Sequence, residues 1–209
     1  MGIRMRPKSS AAWATTVGLF SFMYAAHVAA AELESKHWVP TVSFAIGSFD
    51  ERLRLKIDDV DYDSYRGQLR TLLAIGLAHP VLHFSNEREW LDSHMSLGIG
   101  PTFLTGHWHV PLREDFSFAY SASSFTLRAG LGLGLTIDTT EGFRSFGEFA
   151  LPIGLTLWRT VELVYRPLLA VPLGRRSTAV FGGERELETR FGIMPFELSL
   201  RLYIGALGW

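Results

Sequence analysis

From Arg190 to Ile204 the chain comes to alternate between apolar and polar residues with a period of two. Phe196, Leu198, Leu200, Leu202 and Ile204 fall on one face of an extended segment. Glu197, Ser199, Arg201 and Tyr203 fall on the other. Successive side chains of a β-strand point to opposite sides, so the pattern predicts a strand with one greasy and one polar face. The segment is long enough to cross a bilayer when tilted, which takes about 9–11 residues. A soluble sandwich could supply an apolar face of the same length. Repetition along the chain therefore has to decide.

The pattern recurs, and eight strands are predicted. The first covers 39–49, with Val42, Phe44 and Ile46 on the apolar face, and the second covers 52–60, alternating Leu53, Leu55, Ile57 with Arg54, Lys56, Asp58. A turn at 62–67 leads to the third, 68–78, with Leu69, Leu73, Ile75 and Leu77 on one face. Residues 79–92 are polar, begin His-Pro and read as a loop. The fourth strand, 93–104, sets Met95, Leu97, Ile99 and Phe103 against Ser96, Gly98, Gly100 and Thr102. The fifth, 124–137, is the cleanest: Phe125, Leu127, Ala129, Leu131, Leu133, Leu135 and Ile137 oppose Thr126, Arg128, Gly130, Gly132, Gly134 and Thr136. The sixth covers 144–157 and the seventh 160–173, joined by a tight Trp158-Arg159 turn; a loop at 174–189 precedes the eighth.

The leader has its own signature. Arg4, Arg6 and Lys8 form a basic start, residues 11–30 carry no charge, and Ala29-Ala30-Ala31 offers a small-residue cleavage site. This reads as a secretory signal peptide over 1–31 and a mature domain over 32–209. The apolar run is longer than the usual core of about 7–15 residues, so an uncleaved anchor helix is the competing reading. Removing three basic residues leaves 17 basic against 21 acidic, a balance of −4. Nothing here suggests a nucleic-acid partner, which wants a basic patch. An exported chain without cysteine cannot lean on disulfides, so it needs a core or a closed barrel.

An even number of strands places both termini on one side, as in single-chain bacterial barrels. With that side periplasmic, the Trp158-Arg159 turn is short where turns should be short. The loops at 79–92 and 174–189 fall outside, and Trp38 and Trp158 join an interfacial aromatic girdle. The segment 105–123 is too long for a periplasmic connection. Two short strands near 107–112 and 116–121 would raise the count to ten. Pro101, Pro152, Pro167, Pro172 and Pro195 sit inside strands, where proline removes a ladder bond, so bulges are expected at several of them.

Together these strands resemble the small outer-membrane β-barrel proteins, the OmpA/OmpX-like class. The terminal Leu207-Gly208-Trp209 is similar to that class's aromatic-ended assembly signal. The resemblance implies an all-β fold, a closed antiparallel up-and-down transmembrane barrel in the bacterial outer membrane. It also implies insertion by the outer-membrane assembly machinery and contact with outer-membrane lipids. A monomer without cofactor or metal is expected, with a structural, narrow-pore or binding role.

Candidate chemistry is sparse. His83-Phe84-Ser85-Asn86 resembles the His-x-Ser-Asn motif of lipid A 3-O-deacylases, which implies Ser85 as nucleophile and His83 as its base. The family's acid follows its serine by about a dozen residues, and Leu97 occupies that place here. A non-catalytic chain is the preferred reading. His107 and His109 share a strand face, but two imidazoles do not complete a metal site. Arg128, Glu148, Glu162, Arg166, Glu197 and Arg201 all fall on the small-residue face and are expected to form a charge network inside the barrel. One antiparallel register sets Glu162 opposite Arg201 and Arg166 opposite Glu197, predicting two ion pairs. A third fold reading, a soluble lipocalin-like ligand binder, would reverse the faces and bury the leucines.

Overall fold

The structure is a computed structural model that describes residues 38–57, 60–84, 88–103, 106–122, 124–139, 144–158, 160–173 and 186–204. The predicted signal peptide, Arg159, Ser85 and the terminal Leu207-Gly208-Trp209 lie outside the described residues. Ten β-segments follow one another: β1 Val39–Ile57, β2 Val60–His83, β3 Glu89–Thr102, β4 His107–Ser121, β5 Phe125–Asp138, β6 Arg144–Ala150, β7 Ile153–Leu157, β8 Val161–Tyr165, β9 Leu168–Pro172 and β10 Glu186–Tyr203. They make eight staves. β6 and β7 are one stave interrupted at Leu151-Pro152, because both pair with β5, and β8 and β9 are one stave interrupted at Arg166-Pro167, because both pair with β10. Every neighbouring pair is antiparallel, and β1 pairs with β10, so the ring closes. Closure removes the exposed strand edges that an open sheet would present.

The faces follow the sequence pattern. Leu127, Leu131 and Ile137 of β5 are exposed on the outer wall, while Thr126, Arg128 and Thr136 are buried inside. The same holds for β10, where Leu198, Leu200 and Leu202 point out and Glu197, Ser199, Arg201 and Tyr203 point in. This is the reverse of a lipocalin, so the soluble reading with leucines inside is overturned.

Several strand and loop assignments are corrected. Residues 39–57 form a single stave, not two, because the ladder with β2 runs unbroken from Val39↔Ala78 to Ile57↔Val60. The predicted turn at 62–67 and third strand at 68–78 both belong to β2. Residues 107–121, read as a connection or as two short strands, are one full stave paired on both sides. The loop expected at 79–92 is also mostly strand: His79 to His83 extend β2, and Glu89 to Asp92 begin β3. Its remaining connection, 84–88, lies at the end that carries Trp38 and Ile204, not at the opposite end. The near-end connections are 84–88, 122–124 and 158–160; those at the far end are 58–59, 103–106, 139–143 and 173–185.

Proline acts at several of the expected places. A register shift in the β1–β10 ladder between Ser48 and Asp50 faces Pro195. Burial shows the consequence: Met194 points in, Pro195 and Phe196 both face out, and Glu197 points in again. A bulge that adds one residue to one strand has this effect. A second shift, between Pro80 and Leu82, marks β2. Pro152 and Pro167 each end a ladder segment, while Pro101 and Pro172 stay in register.

Candidate functional site: the charged lumen

The inside of the barrel is the chemically distinctive region. Eight staves enclose an interior just wide enough for side chains to fill. Here the filling is ionic. At the near end, Asp92 on β3 meets Arg128 on β5 at 2.7 Å. Arg128 reaches Glu162 on β8 at 3.3 Å, and Glu162 takes a 2.8 Å contact from Arg201 on β10. The Tyr203 hydroxyl donates to the same carboxylate at 2.7 Å. Arg201 also lies 3.7 Å from Asp115 on β4. Asp115 contacts Arg166 at 3.2 Å, and Arg166 contacts Glu148 at 3.5 Å. Glu148 holds Arg113 at 2.7 Å, and Arg113 holds Glu197 at 2.8 Å. One chain of ion pairs thus runs from Asp92 to Glu197.

A second cluster sits toward the far end. Arg70 pairs with Asp138 at 2.9 Å and lies 3.7 Å from the centre of the Phe49 ring. Arg144 pairs with Glu51. Phe49 and Phe146 meet edge to face at 6.0 Å within a buried apolar cluster that includes Ala150, Leu168, Ala170 and Met194. A void of about 10 Å³ remains beside Asp92, His94, Arg128, Glu162 and Tyr203, space on the order of one water.

Glycines make this packing possible. A Cβ on Gly154 would stand 2.3 Å from Glu162 Oε1, and one on Gly132 would stand 2.4 Å from Asp115 Oδ1. Gly132 lies directly opposite Asp115 and Gly154 lies diagonal to Glu162, and each leaves free the space that its neighbour's carboxylate fills. The alternation of Gly130, Gly132 and Gly134 with leucines is thus steric for Gly132, whose missing side chain admits the Asp115–Arg166 pair.

All six residues expected in the interior network point into the lumen and are under a tenth exposed. The register that sums Glu162 with Arg201 is the observed one, with Ser199↔Val164 and Leu198↔Tyr165 around it. Glu162 and Arg201 pair directly. Arg166 and Glu197 do not pair through their side chains. Their strands meet there through the Arg166 N–H donating to the Glu197 carbonyl at 2.8 Å. The Arg166 guanidinium turns to Asp115 and Glu148, and Glu197 takes Arg113. That predicted ion pair is corrected. Sequence reasoning lacked Arg113 and Asp115 as lumen residues because it did not recognise β4 as one stave. The signal was present: 109, 113, 115, 117 and 119 share one parity.

The other candidates are dispersed. His83 is exposed at the near end, with its ring 6.3 Å from that of Trp90. Leu97, at the spacing of the deacylase acid, is exposed on the outer wall. His109 is buried in the lumen, while His107 is half-buried at the start of β4. Among the described residues no group of three or more His, Cys, Asp or Glu is placed to hold a metal ion. Trp158 projects from the near-end turn with a φ of 49° and is 76% exposed. Trp38 lies at the same end, its ring 4.6 Å from His79.

No family model matches the sequence, and no curated protein matches it. Solved structures do align. Neisserial surface protein A (NspA) aligns at 10% identity over 77% of this chain and 97% of its own, with a TM-score of 0.36. The outer membrane protease OmpT from Escherichia coli aligns at 6% identity over 79% and 97%, with a TM-score of 0.38. Ail, the attachment invasion locus protein of Yersinia pestis, in complex with the heparin analogue sucrose octasulfate, aligns at 9% identity over 78% and 99%, with a TM-score of 0.25. These are outer-membrane β-barrels, the class that the sequence pattern resembles. The architecture of this chain rests on its own closed ladder.

Proposed function

We propose that this protein is a small outer-membrane β-barrel that spans the bilayer as a plugged, non-catalytic cylinder and works through its surfaces. The observation that carries the reading is the inversion of faces. Leu73, Ile75, Leu97, Leu131, Leu151 and Leu163 are more than half or about half exposed on the outer wall, while Arg70, Arg113, Arg128 and Arg201 are buried inside. Soluble monomers rarely expose a contiguous apolar patch beyond a few hundred Å². A hydrocarbon solvent turns that liability into the stable arrangement, provided every backbone group is satisfied within the barrel, as closure allows. The bacterial outer membrane is the setting in which such even-numbered barrels with short turns on one side occur.

The ion-paired lumen favours a plug over a pore. A conducting channel keeps a water-filled interior, whereas here arginine and carboxylate meet inside the barrel in one long chain of ion pairs and a second cluster. The test is electrical. Protein refolded into lipid vesicles should float with the vesicles on a density gradient and add no measurable conductance to a planar bilayer. Steady single-channel steps would overturn the plug, and failure to float would overturn the membrane reading.

A further inference from the structure

One side of the wall is built differently from the rest. The β1–β2 ladder runs unbroken from Val39↔Ala78 to Ile57↔Val60, and the β4–β5 ladder from His109↔Asp138 to Ser121↔Thr126. The staves made of β6 with β7 and of β8 with β9 are instead divided at one level. Gly132↔Ala150 and Ala129↔Ile153 share one register, which sets Gly130 opposite Pro152. The Gly130 N–H donates to the Pro152 carbonyl at 3.0 Å, but proline has no N–H to return the bond. Ala150↔Leu168 and Ile153↔Tyr165 likewise set Leu151 opposite Pro167. The Leu151 N–H donates to the Pro167 carbonyl at 3.1 Å, and again no N–H answers it. On the third seam the register slips by one residue between Met194↔Leu168 and Leu198↔Tyr165, beside Pro195.

These defects cut off one hairpin, β7 and β8 with the near-end turn 158–160 between them. Short ladders fasten it to its neighbours, Phe125↔Leu157 to Ala129↔Ile153 on one side and Leu198↔Tyr165 to Leu202↔Val161 on the other. On its inner face Glu162 ties it to both: the carboxylate accepts from Arg128 on β5 and from Arg201 and Tyr203 on β10. Pro152, Gly154, Glu162 and Val164 line the small lumen void on this side. Local opening in a folded protein takes place in contiguous units that often coincide with such supersecondary motifs. An opening that begins in this hairpin ends at the prolines, where ladder bonds are already missing. We propose that the β7–β8 hairpin is a flap, hinged at Pro152 and Pro167 and latched by Glu162, that admits water to the near end of the lumen. The far-end cluster of Arg70, Asp138, Phe49 and Phe146 contains no flap residue, so the barrel stays plugged when the flap opens. This reading rests on the membrane placement and the plug above.

The absence of cysteine lets one introduced thiol report on the flap. Val164 on the flap and Ala45 on β1 are matched positions. They are 2% and 3% exposed, and both are ladder partners of Ser199, one on each side of it. Val164→Cys and Ala45→Cys would be refolded and placed in phosphatidylcholine nanodiscs, which leave both ends of a barrel open to water. A charged, water-soluble methanethiosulfonate would then be added. Far-UV circular dichroism and co-elution with the discs establish folding and insertion first; failure to insert would overturn the membrane placement and the flap with it. Val164→Cys should react at least tenfold faster than Ala45→Cys. Adding Pro152→Ala and Pro167→Ala, which supply the two missing N–H donors, should slow Val164→Cys at least fivefold and leave Ala45→Cys unchanged. Slow reaction at both positions would overturn the flap while leaving the plug intact. Equally fast reaction at both would show a wet lumen and overturn both. A Val164→Cys rate indifferent to the proline substitutions would overturn the hinge and the proposal with it.

Discussion

Glu162→Leu should destabilise the barrel more than most single changes, and the reason can be worked from the geometry. Glu162 is 1% exposed and accepts from Arg201 at 2.8 Å, from the Tyr203 hydroxyl at 2.7 Å and from Arg128 at 3.3 Å. Its removal leaves an excess buried positive charge. Breaking a buried ion pair by deleting one partner costs about 3–5 kcal/mol. Arg128 keeps Asp92 and Arg201 keeps Asp115, which places the loss at the low end, about 3 kcal/mol. That is somewhat more than a hundredfold in the folding equilibrium, since about 1.4 kcal/mol is tenfold. Arg201→Met should cost a similar amount. The double variant should fall short of the sum by about 1–3 kcal/mol, the coupling expected of residues in contact. Urea unfolding of the vesicle-inserted protein, followed by tryptophan fluorescence, measures all three. A cost for Glu162→Leu within about 1 kcal/mol, the worth of a solvated surface pair, would refute the reasoning and mean that the lumen is wet.

Three further outcomes are expected. Gly154→Ala should destabilise by about 1–3 kcal/mol in the same assay, because its Cβ would stand 2.3 Å from Glu162 Oε1 and shift a carboxylate that Arg201 and Tyr203 hold in place. Arg166→Glu should destabilise the barrel, and adding Glu197→Arg should not restore it, since Arg166 serves Asp115 and Glu148 while Glu197 serves Arg113; restoration to near wild-type stability would show that the two side chains pair after all. Ser85→Ala should leave cellular lipid A unchanged by mass spectrometry, as His83 is exposed with its ring beside Trp90; loss of a deacylated species in the variant would revive the hydrolase reading.

Alternation makes the barrel strands legible, and its limits explain the departures. β5 reads cleanly because its odd-numbered apolar residues lie on the outer wall and its even-numbered residues meet a crowded polar axis. β1 was split at residues 50–51 because the pattern changes where the strand approaches the far end and Asp50 is exposed. A strand can continue through such a place because its ladder partners, not its solvent, hold it: Asp50 still pairs with Gly67. β4 was obscured by Arg113-Glu114-Asp115, three charges in a row, which look like a loop. In the structure two of them enter the ion-pair chain and the third faces outward beside Ser93. The Arg166–Glu197 pair failed for a different reason. Register fixes which backbones adjoin, but in so narrow a lumen a long side chain can choose any wall. Arg113 reaches Glu197 from β4, on another part of the wall, a partner no pairwise register would suggest.

The most direct measurement is the environment of β5, residue by residue, in a lipid bilayer. Single cysteines at Thr126, Leu127, Ala129, Leu131, Leu133 and Thr136 would carry nitroxide labels, with collision rates read for membrane-soluble oxygen and for a water-soluble nickel complex. We expect high oxygen and low nickel accessibility at 127, 129 and 131. Residue 133, half-buried within the chain itself, should be lower in oxygen, and both reagents should be low at 126 and 136. Oxygen accessibility that peaks at the even positions, or nickel accessibility along the whole strand, would contradict a lipid-embedded barrel with its charges inside.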